Sequence, residues 1–137
     1  MSQRLVLDAS AALEAVVLGA KAKEVFEALE RAAVVLVPGI FHSEVANALW
    51  KYVRSGRFDL QDAVSRFESA ATITDRTVAD ADLAGEALVA AVTHDHSVYD
   101  MLYAVLARRF GCTVCTMDKR LGAALERMDI DHLTLRL

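Results

Sequence analysis

Short apolar runs recur along this chain, and each gives way to a segment with helical periodicity. The runs are Arg4–Leu7, Val34–Val37, Thr113–Met117 and His132–Leu135. A strand that is apolar at nearly every position, rather than at alternate ones, is covered on both faces. Alternation with helices then restricts the fold to a mostly parallel central sheet between two helical layers, a three-layer α/β/α domain. Helices are expected from Asp8 to about Leu18, over Ala20–Arg31, over Phe41–Ser55, and from an Asp59 cap to about Thr72. Further helices are expected over Ala79–Val92, from a Ser97 cap to Gly111, and over Asp118–Met128. In the second helix Val25, Phe26 and Leu29 should point inward. Ile73–Val78 fits either a short strand or a loop. No repeat or linker interrupts the pattern, so one domain over 1–137 is expected.

Four carboxylates sit at the junctions of this pattern: Asp8 in LVLD, Glu44 in FHSE, Asp100 in HSVYD and Asp118 in TMD. Ligands of open parallel sheets bind beyond the carboxyl ends of the strands, where helix N-termini also point. Asp8 and Asp118 follow strands and belong at that edge. Taken singly, each has an ordinary explanation as a helix cap, worth about 1 kcal/mol. Ser97 and Asp100 have the spacing of a capping box with aspartate in place of glutamate. Glu44 resists that explanation, because Glu44, Asn47, Lys51 and Arg54 form one polar stripe opposite Phe41, Val45, Leu49, Tyr52 and Val53. A solvated helix face would look the same, and so would a metal ligand beside a track of phosphate contacts. Clustered carboxylates repel unless a cation joins them, so convergence would imply a divalent metal and phosphate chemistry.

Charge is compatible with that reading. Net charge is −4, from 19 acidic and 15 basic residues, so setting the four acids aside leaves a neutral remainder. A globally basic nucleic-acid binder is excluded. The near-apolar stretch Ala32–Phe41 is broken by Pro38-Gly39 and is too short to span a bilayer, and the N-terminus lacks a signal-peptide pattern. A cytoplasmic protein with no membrane partner is expected. Cys112 and Cys115 bracket two strand-like residues, which sends their side chains to opposite faces, and no second pair exists to complete a zinc site. Reduced, buried thiols are expected. His42, His94, His96 and His132 read as structural or surface residues.

The chain resembles the PIN-domain ribonucleases, in particular the VapC-type toxins of toxin–antitoxin pairs. The resemblance rests on LVLDASAAL, VPGIFHSEVANALWKYVRSGR, HSVYDMLYAVLARRFG and TVCTMDKRL, in that order and spacing over nearly the whole length. It implies a cleft lined by Asp8, Glu44, Asp100 and Asp118, with Asp8 and Asp100 at the positions most directly assigned to magnesium. Ser10 and Thr116 match supporting hydroxyl positions, and Asn47 matches a neighbour of the second acid. Asp95-His96 departs from the small or apolar pair more usual there.

The implied activity is hydrolysis of RNA phosphodiesters by water activated on Mg²⁺ or Mn²⁺, held by Asp8, Asp100, Asp118 and Glu44. Lys51, Arg54, Arg57, Lys119 and Arg120 are candidates to contact phosphates. The resemblance also implies an antitoxin partner seated in a groove near Ala11–Leu18 and Val25–Leu29, and a homodimer. The alternative is a non-catalytic PIN-like protein that binds RNA or a partner. A haloacid-dehalogenase phosphotransferase would need D-x-D, and position 10 is Ser.

Overall fold

A computed structural model describes residues 3–135, so the expected extent of 1–137 runs past the described residues at both ends. The element order is β1 (Gln3–Leu7), α1 (Ala9–Val16), α2 (Ala22–Arg31), β2 (Ala32–Pro38), α3 (Ile40–Arg54), α4 (Leu60–Ile73) and β3 (Arg76–Val78). It continues with α5 (Asp80–His94), α6 (Val98–Phe110), β4 (Thr113–Thr116), α7 (Lys119–Arg127) and β5 (His132–Thr134). The strands form one sheet in the order β3-β2-β1-β4-β5, with every neighbouring pair parallel.

Parallel strands demand crossovers, and right-handed crossovers fix which face each helix covers. Connections running from β1 towards β3 place α1–α4 on one face, where α1 packs on α2, α3 and α4. The return from β3 to β4, and on to β5, places α5, α6 and α7 on the other, with α6 lying on β1, β2 and β4. Leu5, Val6 and Leu7 of the central strand are fully buried between these layers, as unalternated apolar strands require. Strand order reverses between β1 and β4, and this is where an open α/β sheet leaves a crevice at its carboxyl edge.

Several local expectations shift. Helix α1 stops at Val16, because Leu18 adopts a left-handed backbone (φ 55°) and is exposed. Helix α2 begins at Ala22, and its Phe26 faces outward at 40% exposure, where the inward positions are Ala22, Val25 and Ala28. The ambiguous Ile73–Val78 segment resolves into a three-residue edge strand. Asp75 fixes its start by accepting from the Val35 N–H at 2.8 Å while its own N–H donates to Val35 O. Gly111 ends α6 at φ 65°, the left-handed conformation that favours glycine there. Gly122 lets α7 approach β5, since a Cβ there would meet the Thr134 side chain.

Candidate active site

Asp8 leaves β1 at the crevice. It occupies the position of an N-cap for α1, yet its carboxylate makes no capping bond. Instead Oδ2 accepts from Ser10 Oγ and Thr116 Oγ1, each at 2.6 Å. The two hydroxyls are themselves oriented, since Met117 N–H donates to Ser10 Oγ and Asp118 N–H to Thr116 Oγ1. Adjacent strand ends thus lock one carboxylate in place, and the capping explanation fails for Asp8. Burial pushes its pKa up. The two hydroxyl bonds pull it back, and the charges of Asp100 and Asp118 raise it further.

Asp118 is a genuine cap: its Oδ1 accepts from the N–H groups of Arg120 and Leu121 at the start of α7. Glu44, one turn into α3, is half-buried, and its Oε1 accepts from the Tyr103 hydroxyl of α6 at 2.6 Å. Burial raises the Glu44 pKa. The Tyr103 bond opposes this, while Asp8, Asp100 and Asp80 add to it. Burial first, and then the nearby acids, holds the Tyr103 phenol far above its ordinary value, so it remains a donor. Asp100 makes half of the expected capping box: its N–H donates to Ser97 Oγ, but its carboxylate turns elsewhere, to His96 Nε2 at 2.8 Å.

The four acids therefore share a pattern. Each has one oxygen held by donors, and among the described residues nothing in the protein bonds the second. None pairs with Lys or Arg among the described residues. Their mutual effects on the pKa values of Asp8 and Glu44 place them in one field. Hard, anionic oxygens without a compensating cation suit Mg²⁺ or Mn²⁺ in chemistry and in charge. As oriented, however, no three His, Cys, Asp or Glu side chains among the described residues are grouped to hold an ion.

The supporting residues divide. Ser10 and Thr116 join Asp8 directly. Asn47 is exposed on α3. Of the basic candidates, Lys119 lines a cleft of about 480 Å³ together with Ser10, Leu13, Tyr52, Met117 and Asp118. Arg120 reaches back to the Asp95 carbonyl at 3.4 Å. Lys51 and Arg54 border a separate depression with Ser55, and Arg57 stacks over Tyr52 at 4.8 Å.

Sequence reasoning missed Tyr103, Asp80 and His96. Tyr103 lies inside an apolar helical run, and its only signal was the three-residue spacing from Asp100. Asp80 looked like any acid in a first helical turn; its Oδ1 in fact accepts from the Ile40 N–H at the start of α3. His96, read as a structural or surface residue, is buried, and its Nε2 meets Oδ2 of a candidate acid, Asp100. The thiols behave as expected: both cysteines are free and buried, and burial pushes Cys115 up to about 12.

Comparison with known proteins agrees with this architecture. Residues 5–127 match the profile of the PIN domain. The chain is 28% identical over 121 residues to Ribonuclease VapC3 of Pyrobaculum aerophilum, spanning 87% of this chain and 92% of that protein. The crystal structure of PAE2754 from Pyrobaculum aerophilum superposes with a TM-score of 0.71 at 25% identity, covering 93% of this chain and 95% of that one. Mycobacterium tuberculosis VapC20, described as a Sarcin-Ricin loop cleaving toxin, gives a TM-score of 0.65 at 20% identity, covering 88% and 94%. At that identity the likeness concerns the fold.

Proposed function

The chain belongs to the PIN-domain family, and from that premise we propose that it is a metal-dependent ribonuclease, the toxin of a toxin–antitoxin pair. One observation carries the reading: four acids share an edge of the sheet, each with one oxygen anchored and the other open, and no Lys or Arg compensates them. Similarity to Ribonuclease VapC3 supports RNA as the substrate.

Asp8 and Asp100 would be the principal ligands of Mg²⁺ or Mn²⁺, with Glu44 and Asp118 completing the site. When bound, such an ion offsets the phosphate charge, polarises the scissile ester and lowers the pKa of a water. The protein's own groups prepare for this. Ser10 and Thr116 hold Asp8 in one rotamer, so its open oxygen is presented without an entropic cost at binding. Tyr103 does the same for Glu44. The α7 N-terminus does so for Asp118, through the Arg120 and Leu121 N–H groups. Lys119 stands beside Asp118 to meet a phosphate, and Lys51, Arg54 and Arg57 extend a basic track along α3 and just beyond it. Cytoplasmic RNA would be the target.

The antitoxin would seat in the groove bordered by Ala15, Val16, Leu18, Phe26, Arg66 and Ile73, where the exposed Leu18 and Phe26 offer apolar contacts. Exposed Leu88, Val89 and Val92 on α5 support a homodimer, checked by light scattering. The second reading is a PIN-like protein that binds RNA or a partner without cutting; as oriented, no three candidate ligands among the described residues are grouped to hold an ion. Incubating purified protein with structured RNA in Mn²⁺, beside Asp8→Asn and Asp100→Asn, separates the two. Cleavage by the wild type and not by either variant is expected. Equal cleavage by all three contradicts the site, and RNA bound but uncut favours the second reading.

A further inference from the structure

His96 occupies a place where the chain turns a side chain inward. Asp95 ends α5 in the left-handed conformation (φ 50°), and the His96 N–H bonds back to Ala91 O, closing the helix as a Schellman-type turn does. The residue after the left-handed position in such a turn ordinarily makes an apolar contact with the helix end. Here it is an imidazole whose side chain is 2% exposed. A buried ring nitrogen needs a partner, and Nε2 finds Asp100 Oδ2 at 2.8 Å. The corner carrying the ring is itself held, because Arg120 donates to the Asp95 carbonyl. Asp100 is an ordinary first-turn residue in every other respect, and the Ser97 cap fixes only its backbone.

Asp8 is held by the Ser10 and Thr116 hydroxyls, and Glu44 by the Tyr103 hydroxyl. For Asp100 the equivalent donor is His96. We infer that His96 is a positioning residue for the metal site: its Nε2–H holds Asp100 Oδ2 and presents Oδ1 to the divalent cation. This rests on the metal-dependent reading of the site. Outer donors of this kind orient ligand carboxylates, and losing one typically weakens metal binding by about 10–100-fold. An apolar residue in the same turn would pack equally well but leave the Asp100 rotamer unfixed.

Calorimetric titration of the full chain with Mn²⁺, without RNA, tests this apart from activity. His96→Leu keeps the bulk and loses the donor, whereas His96→Gln brings an amide N–H close to the place of Nε2. The expected result is Mn²⁺ affinity at least about tenfold weaker in His96→Leu and recovered to within roughly threefold in His96→Gln. A merely packed histidine predicts the opposite order of harm, with thermal stability lost in the glutamine variant and Mn²⁺ affinity unchanged in the leucine one. Unchanged or tighter binding by His96→Leu overturns the inference, the tighter case because the ring would then compete with the ion. No Mn²⁺ binding by the wild type overturns the metal reading itself, and this inference with it. Should the variants fail to fold, the His96 Nε2–H resonance of the wild type decides. It must persist and shift when Mg²⁺ saturates the protein, and its disappearance contradicts the inference.

Discussion

The two ends of α3 treat charge in opposite ways. Near its N-terminus Glu44 joins Asp8, Asp100 and Asp118, and no Lys or Arg among the described residues bridges to any of them. At and just beyond its C-terminus Lys51, Arg54 and Arg57 gather without an acid partner in those same ion pairs. Yet these cations are not left bare: Arg54 lies 5.0 Å from the Trp50 ring centroid, Arg57 over Tyr52 and Phe58, and Arg66 4.2 Å from Phe58. Aromatic faces and a helix C-terminus both favour positive charge, each by about 1 kcal/mol or less when exposed. The acids receive only partial relief, from neutral donors and the imidazole of His96, and two of them are buried enough for their pKa values to rise. The cationic end is content as it stands; the acidic end is stable only by tolerating a repulsion that a bound cation would remove.

The largest effect should follow Asp8→Asn. It leaves an acceptor for Ser10 and Thr116 but removes the charge. RNA cleavage should fall by more than the roughly 100-fold that marks the upper end for outer-shell partners. The same substitution should raise the melting temperature of the metal-free protein, since it deletes a buried, repelled carboxylate. A melting temperature lowered in chelator would break the comparison at its acidic end.

Next comes Tyr103→Phe, which keeps the ring in the core and removes the donor to Glu44. Cleavage should drop about tenfold, measured as initial rate at saturating Mn²⁺. An unchanged rate would leave Glu44 outside the working site.

The pH dependence has a definite sign. Burial raises the folded pKa of Asp8 above its ordinary 3.8 and that of Glu44 above 4.5. An acid that holds its proton more tightly when folded costs stability once ionised, above the folded pKa. That cost is relieved as pH falls through the folded pKa and is gone below the unfolded value. The stability advantage of Asp8→Asn over wild type in chelator should therefore shrink from about pH 7 towards about pH 4. Melting curves across that range check it, and an advantage that grows on acidification contradicts it.

The smallest effects belong to the cationic end. Arg57→Ala should weaken RNA binding across sequences and reduce the salt slope by about 1. Arg57→Lys should keep the slope but lose up to about 1 kcal/mol of stacking. Filter binding over a salt series separates the two.

Much of the architecture was legible because both of its signals are local. Unalternated apolar strands announced the parallel sheet, and Asp59, Ser97 and Gly111 marked helix ends where the backbone indeed caps or turns left-handed. What escaped was set by contacts distant in sequence. Glu44 and Tyr103 are 59 positions apart, so nothing near Tyr103 in the chain reveals the bond; Thr116, 108 positions from Asp8, was named only through the family resemblance. Phe26 misled because helical periodicity shows a stripe but not its edge: α2 packs on α1 and β2, and Phe26 is left at the rim of a groove shared with α4. His96 misled differently. Its spacing left it a structural or surface residue with no assigned partner, and the left-handed Asp95 turns it inward onto Asp100.

The claim that the acids await a cation can be tested most directly by melting the wild type and Asp8→Asn with and without Mn²⁺ near neutral pH. A ligand bound only by the folded chain stabilises it by about 2.7 kcal/mol at a hundred times its dissociation constant. The prediction is a rise of several degrees for the wild type that saturates with Mn²⁺, and little or none for Asp8→Asn. A wild type indifferent to millimolar Mn²⁺, or a variant stabilised equally, would contradict it.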